Sequence, residues 1–270
     1  MLLGIVGVLR GYGVQAVILA GGLGTRLSEE TSIRPKPMVE IGGKPILWHI
    51  MKIYETAGIN DFIVCGGYKS YVIKEFFANY ELHNNNVTFD YALGETTFHS
   101  KGRAPWKVTI LDTGDDTLTG GRLLRASKFL EGETFCMTYG DGLADIRVSK
   151  TLKFHSNHKK LVTITGVRAP GRFGFLDTEG DSVVKFAEKP EHDSTWINGG
   201  FFVLNTKIFE YIEGDKSVWE NEPLSKLTLH NQVKVWKHSG FWQPMDTLRD
   251  KNQLEQYWES GTPPWKIWQE

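Results

Sequence analysis

The sequence predicts an open, doubly wound α/β fold on a mixed, mainly parallel sheet. Three observations carry that prediction. Val14 to Leu19 is an unbroken run of β-branched and aliphatic residues ending at a Gly-Gly pair, as suits a strand covered on both faces. Pro45 to Ala57 follows with helical spacing, placing Ile46, Ile50, Ile53 and Tyr54 on one face, and Gly58 supplies the stop. Phe62 to Cys65 is then a second buried strand, and strand–helix–strand order in short connections means parallel pairing with helices on the faces.

The remaining elements follow in order. A helix is predicted from about Val72 to Tyr80, after the turn Gly66-Gly67-Tyr68. Val108 to Leu111 and Thr134 to Tyr139 are strands, each running into a turn, DTGDD and GDG. Leu161 to Val167, Val183 to Glu188 and Gly199 to Leu204 are further strands. Helices are expected over Lys207 to Ile212 and Pro223 to His230, and Val233 to His238 alternates like a half-exposed strand. Asp250 to Glu259 closes with a helix before Gly261-Thr262-Pro263-Pro264.

At 270 residues the chain can bury a substantial core. With no repeat or linker, residues 16–270 read as one domain and residues 1–15 as an N-terminal extension, too short and too broken by glycine to span a bilayer. With 31 basic and 32 acidic residues the net charge is -1, which argues against binding nucleic acid by bulk attraction. Any polyanion site must be a local cluster. The two cysteines, Cys65 and Cys136, lie inside apolar runs, so free core thiols are expected rather than a disulfide framework.

One such cluster is Gly21-Gly22-Leu23-Gly24-Thr25-Arg26, followed by Arg34-Pro35-Lys36-Pro37. Glycines after a strand let backbone N–H groups approach a phosphate, and a helical start adds positive dipole. The pattern is neither GxGxxG nor a P-loop. The two prolines brace the segment carrying Lys36, which a solvated surface lysine would not need. Asp141 sits between glycines at a strand end, and Asp246 sits in FWQPMDT. Two such carboxylates suit Mg²⁺, a hard cation that completes its shell with water and phosphate oxygens. Each aspartate is equally well explained as a turn former or a helix N-cap; whether they meet in space is open. Lys189 is a second proline-followed lysine, Asn198-Gly199-Gly200 suits a sugar hydroxyl, and Thr119-Gly120-Gly121-Arg122 offers groups that can read a base edge. Each of these is also a plain turn or strand end. There is no zinc-site spacing around His155 and His158 and no nucleophile signature. The nine tryptophans suit packing or a subunit contact better than ligand stacking.

In combination, AVILAGGLGTRL followed by RPKPM resembles the signature of the sugar-1-phosphate nucleotidylyltransferases. PWKVTILDTGDDTLTGGRL, YGDG, NGGFFVLN and GFWQPMDTLRDK resemble the branch of that family that uses CTP and glucose 1-phosphate. The resemblance runs from residue 16 to the C-terminus and implies a Rossmann-like, glycosyltransferase-A-like nucleotidyltransferase fold. It implies that Leu19, Gly21, Gly22, Gly24, Thr25, Arg26 and Lys36 hold the nucleotide, with Gly67, Thr113, Gly121 and Arg122 near the cytosine. Arg26, Lys36 and Lys189 would carry catalysis. Glu188, Lys189, Asn198 and Gly199 would bind the sugar phosphate, and Asp141 and Asp246 would bind Mg²⁺. It further implies a cytoplasmic bacterial enzyme, hexameric, making CDP-glucose for the dideoxysugars of surface polysaccharide such as O-antigen. The nearest alternative is transfer of a thymidylyl or uridylyl group, since base choice rests on a short segment. A non-catalytic sugar-nucleotide-binding relative and a glycosyltransferase are the others.

Overall fold

The computed structural model describes residues 13–22, 24–99, 104–168, 175–179, 182–187 and 196–269. Seven strands form the central sheet: β1 (Ala16–Ala20), β2 (Asp61–Gly66), β3 (Lys107–Asp112), β4 (Thr134–Tyr139), β5 (Val162–Arg168), β6 (Trp196–Asn205) and β7 (Val233–Lys237). Their spatial order is β7-β5-β6-β4-β1-β2-β3. All pairings are parallel except those of β6, which runs antiparallel to both β4 and β5. The sheet is therefore mixed and mainly parallel.

Its central strands are buried on both faces because their side chains alternate between two apolar layers. In β1, Ala16, Ile18 and Ala20 join one cluster while Val17 and Leu19 join the other. The first layer is closed by helix α1 (Ile46–Glu55) and the C-terminal helix α6 (Leu248–Glu259), which contributes Leu254. The second is closed by α3 (Thr119–Ala126), through Leu123 and Ala126, and by α5 (Glu222–Leu229), through Leu227. Helices α2 (Ser70–Ala78) and α4 (Val148–His158) complete the long helices among the described residues. None of these helices is long and apolar enough to cross a membrane.

Several expectations shift for identifiable reasons. The apolar run Val183 to Glu188 is observed as Ser182–Ala187, but among the described residues it pairs only with Phe175–Glu179 in a separate hairpin. The segment from Lys207 is a 3₁₀ turn, Thr206–Tyr211, rather than an α-helix. Helix α3 went unrecognised because TGGR carries two glycines, which weaken any helical signal. A surface hairpin, Asn86–Asp90 with Glu95–His99, went unrecognised: its strands are five residues each and mostly exposed, so their alternation is brief and marks no buried face. Cys65 and Cys136 are buried and unpaired, and burial pushes both thiols up to about 12. Trp258, Trp265 and Trp268 pack around His49 of α1, a structural role.

What the topology does for function is set by β1. Strands β2 and β3 lie to one side of it and β4 to the other, so the carboxyl ends of β1 and β4 part into a crevice. Gly21 and Gly22 leave β1 at that crevice, and Gly140 and Asp141 leave β4 at it.

Candidate active site

A cavity of about 680 Å³ opens at this switch point. On one wall, Leu19, Gly21, Gly22, Gly24 and Thr25 carry the chain out of β1. Gly24 is held at φ +64°, and a Cβ there would meet Thr31 Cγ2 at 2.7 Å, so only glycine fits. The Thr31 hydroxyl ties the turn down by hydrogen bonds with the carbonyls of Gly24 (3.1 Å) and Leu27 (3.0 Å). Arg26 lies in the 3₁₀ turn Thr25–Leu27.

Lys36 stands at the centre. Pro35 is extended, at φ -67° and ψ 151°, and Pro37 is buried in the short turn Lys36–Met38, so the backbone bearing Lys36 is fixed on both sides. The ammonium donates to Asp141 Oδ2 at 2.7 Å and to Asp246 Oδ1 at 2.8 Å. Burial alone would lower its pKa, but the charges and hydrogen bonds of Asp141 and Asp246 outweigh it and hold the ammonium above its ordinary value. It is a permanent cation at neutral pH. Arg34, by contrast, pairs with Glu40 at 2.7 Å away from the cavity.

The two aspartates meet because a short antiparallel pairing joins Gly142–Ala144 to Trp242–Pro244. The Met245 N–H then donates to the Asp141 carbonyl at 2.8 Å, setting the two carboxylates side by side. Asp246 is not the cap of α6. Thr247 is, in a capping box with Asp250, whose Oδ2 also accepts the Asp246 N–H at 3.1 Å. Both carboxylates remain partly open to the cavity. Two converging carboxylates suit a hard divalent ion that takes its other ligands from water and phosphate. Among the described residues no group of three or more His, Cys, Asp or Glu side chains forms a fuller cage.

The family model for nucleotidyl transferases matches residues 15–259. This chain belongs to the nucleotidyl transferase family. It is 56% identical over 257 residues to the glucose-1-phosphate cytidylyltransferase of Salmonella typhi, covering 95% of this chain and 100% of that protein. It is 44% identical over 256 residues to the probable glucose-1-phosphate cytidylyltransferase of Bacillus subtilis, covering 94% of this chain and 100% of that one. Among solved structures, HddC from Yersinia pseudotuberculosis superposes with a TM-score of 0.66 at 27% identity, over 91% of this chain and 99% of its own. The apo UDP-glucose pyrophosphorylase, with a TM-score of 0.68 at 14% identity over 92% of this chain and 98% of its own, shares the fold.

In this nucleotidyl transferase the sequence-selected residues divide into two groups. Leu19, Gly21, Gly22, Gly24, Thr25, Lys36, Arg122, Asp141, Asn198, Gly199 and Asp246 all line the one cavity. Gly67, Thr113 and Gly121 do not line it. A Cβ on Gly67 would meet Arg122 Nη1 at 2.5 Å, so this glycine makes room for a guanidinium. Thr113 is fully buried and bonds the Gly66 carbonyl. Gly121 abuts Asp215, whose Cα would lie 2.5 Å from an added Cβ.

Arg122 lines the cavity, but its guanidinium works mainly inside the protein. Nη1 donates to the Gly66 carbonyl (3.1 Å) and to Thr113 Oγ1 (2.5 Å), and Nη2 donates to the carbonyls of Gly21 (3.0 Å) and Asp115 (3.2 Å). It thereby clamps the ends of β1 and β2 to the loop after β3. Burial lowers its pKa from the ordinary value. Glu188 and Lys189 lie outside the described residues, as does the Arg26 side chain.

Sequence reasoning missed Tyr139, Thr117 and Trp242, all on the cavity. The Trp242 indole N–H donates to the Gly199 carbonyl at 2.8 Å, which fixes the floor beside Asn198. Asn198 Oδ1 accepts the Gly200 N–H at 2.8 Å. A signal for Tyr139 existed: a large polar aromatic closing an otherwise apolar strand immediately before GDG.

Proposed function

We propose that this chain transfers the cytidylyl group of CTP to glucose 1-phosphate, giving CDP-glucose and pyrophosphate. The observation that carries the reading is the Lys36–Asp141–Asp246 cluster at the switch point, facing the glycine turn after β1. Over the full length of the Salmonella typhi glucose-1-phosphate cytidylyltransferase, 56% identity supports the choice of base and sugar.

The chemistry needs no side-chain base. A phosphate monoester has a second pKa of about 6 and is mostly dianionic at neutral pH, so its oxygen can attack the α-phosphorus of CTP in line as pyrophosphate leaves. The obstacle is bringing two polyanions together while charge grows on the leaving group. Positioning and fixed positive charge meet it. Gly21, Gly22, Gly24 and Thr25 present backbone N–H groups to the triphosphate, and Arg26 can fork two of its oxygens. Lys36 supplies a fixed point charge; at an effective dielectric near 20, a unit pair about 4 Å apart is worth about 4 kcal/mol. Lys189 grips the sugar phosphate, with Glu188, Asn198 and Gly199 at the glucose hydroxyls. Asp141 and Asp246 would hold Mg²⁺, which when bound supplies charge neutralisation at the phosphates.

We further read the enzyme as cytoplasmic and self-associating, supplying CDP-glucose for surface-polysaccharide dideoxysugars. The surface hairpin supports association: Phe89, Tyr91, Leu93 and Phe98 are exposed on it, and among the described residues its strands pair only with each other. The test is pyrophosphate release from glucose 1-phosphate with CTP, UTP and dTTP. CTP should exceed the others by at least about 100-fold in kcat/KM, a conservative floor for a site that hydrogen-bonds a group, which can reject analogues lacking it by about 10⁴-fold. Equal rates would refute cytidine selection, and dTTP or UTP preference would move the chain to the alternative branch.

A further inference from the structure

Beneath the cavity lies a hydrogen-bonded link that the reaction chemistry above leaves unused. Tyr139, at the end of β4, donates its hydroxyl proton to Glu220 Oε1. The other oxygen of the same carboxylate, Oε2, accepts the Thr119 hydroxyl at 2.7 Å. Thr119 Oγ1 in turn accepts the Trp219 N–H at 2.9 Å. Tyr139 and Thr119 both line the cavity, whereas Glu220 is set behind them.

The two hydroxyls come from different elements that line the cavity. Tyr139 shares that lining with Asn198 and packs on Gly200, where a Cβ would meet the tyrosine ring at 2.7 Å. Thr119 opens helix α3, one turn before Arg122, on the side of Asp115 and Thr117. The segment carrying Glu220 is itself locked against the start of α3. The Ser217 carbonyl accepts from Gly120 (2.9 Å) and Gly121 (3.3 Å), the Asp215 carbonyl accepts from Leu118 (2.9 Å), and Asp215 pairs with Arg125 at 2.6 Å. These bonds occupy the N–H groups of Leu118, Gly120 and Gly121, which therefore face Asp215 and Ser217 and not a phosphate. A single carboxylate with two short-range donors cannot shift toward one without straining its bond to the other.

We propose that Glu220 is a positioning residue that joins the sugar side of the site, through Tyr139, to the nucleotide side, through Thr119. This rests on the cytidylyltransferase reading and deepens it. Holding Tyr139 in one rotamer keeps the Asn198 wall at a fixed distance from the Thr119 wall, so the two substrates meet in a preset orientation. Glu220 touches neither substrate; its effect reaches them through the two hydroxyls.

The test is steady-state kinetics on Glu220→Ala, Glu220→Gln, Tyr139→Phe and the double variant Glu220→Ala/Tyr139→Phe. KM for each substrate, kcat and Tm are measured for every protein. Loss of a hydrogen bond to a charged partner corresponds to about a tenfold effect. Glu220→Ala and Tyr139→Phe should each raise the KM for glucose 1-phosphate about tenfold, by more than they lower kcat, and the double variant should be no worse than either alone. Glu220→Gln, whose amide can still accept from Tyr139, should recover to within about threefold of wild type. Multiplicative effects in the double variant, or a Glu220→Ala defect confined to Tm with both KM values unchanged, would overturn the proposal and leave the cytidylyltransferase reading intact. Should Glu220→Ala not fold, a Glu220→Gln enzyme with wild-type KM supports the link and one with a tenfold rise refutes it. A wild-type protein inactive on CTP and glucose 1-phosphate overturns both.

Discussion

Two sets of polar residues beside the cavity are used in opposite ways. In the first, Lys36 and the two aspartates pair with one another on the cavity wall, where Gly21, Gly22 and Gly24 also lie. In the second, Thr113, Gly121 and most of Arg122 are absorbed by the protein. Thr-Gly-Gly-Arg has the composition of a ligand loop, yet its glycines admit the backbone of residues 215–217 and its arginine clamps three carbonyls. The difference teaches that a short polar motif marks close approach without saying of what. Ligand and distant backbone compete for the same small residues and donors.

The strongest way to sharpen the contrast lies with the first set. Asp141→Asn or Asp246→Asn should lower kcat by about 100-fold or more, the scale of removing one preorganised charge from a site of this kind. Pyrophosphate release titrated against Mg²⁺ should show a raised metal requirement in both variants. Wild-type titrations in both would dissolve the shared-metal assignment.

Arg122→Ala should act next most strongly, and on a different observable. It strands the Gly21 and Asp115 carbonyls in a site where Arg122 is 5% exposed, and should cost about 3 kcal/mol of stability, read by denaturant unfolding. Unchanged stability with a selective rise in the KM for CTP would return Arg122 to the base and break the comparison.

The glycines give the smallest and cleanest contrast. Gly121→Ala pushes a methyl against the Asp215 backbone and should cost about 2 kcal/mol. Gly22→Ala meets no atom within 4 Å among the described residues and is not at a left-handed φ, so its stability should stay within about 0.5 kcal/mol of wild type. If the turn binds the triphosphate, Gly22→Ala should nonetheless raise the KM for CTP. A Gly22→Ala enzyme with wild-type KM and stability would show that this glycine faces nothing.

How much was legible follows from the range of each interaction. The strands of the sheet and helices α1, α5 and α6 were readable because an apolar period is written within ten residues or so. The surface hairpin was not, since its residues Tyr91 and Leu93 are exposed and no burial pattern organises it. Tyr139 and Glu220 carry no local signal of partnership, being 81 residues apart in the chain.

By itself the sequence determined the family, the chain order of the seven central strands, and the identity of the glycine turn and its braced lysine. Each depends on neighbours in the chain, through proline geometry, glycine freedom and hydrophobic period. Only the tertiary structure decided that β6 reverses direction, that Asp141 and Asp246 share one ammonium across 105 and 210 residues of chain, and that the Thr-Gly-Gly-Arg loop serves the protein's own backbone. Those outcomes depend on which donors and acceptors the closed sheet leaves unsatisfied, and that becomes defined only when distant segments have met.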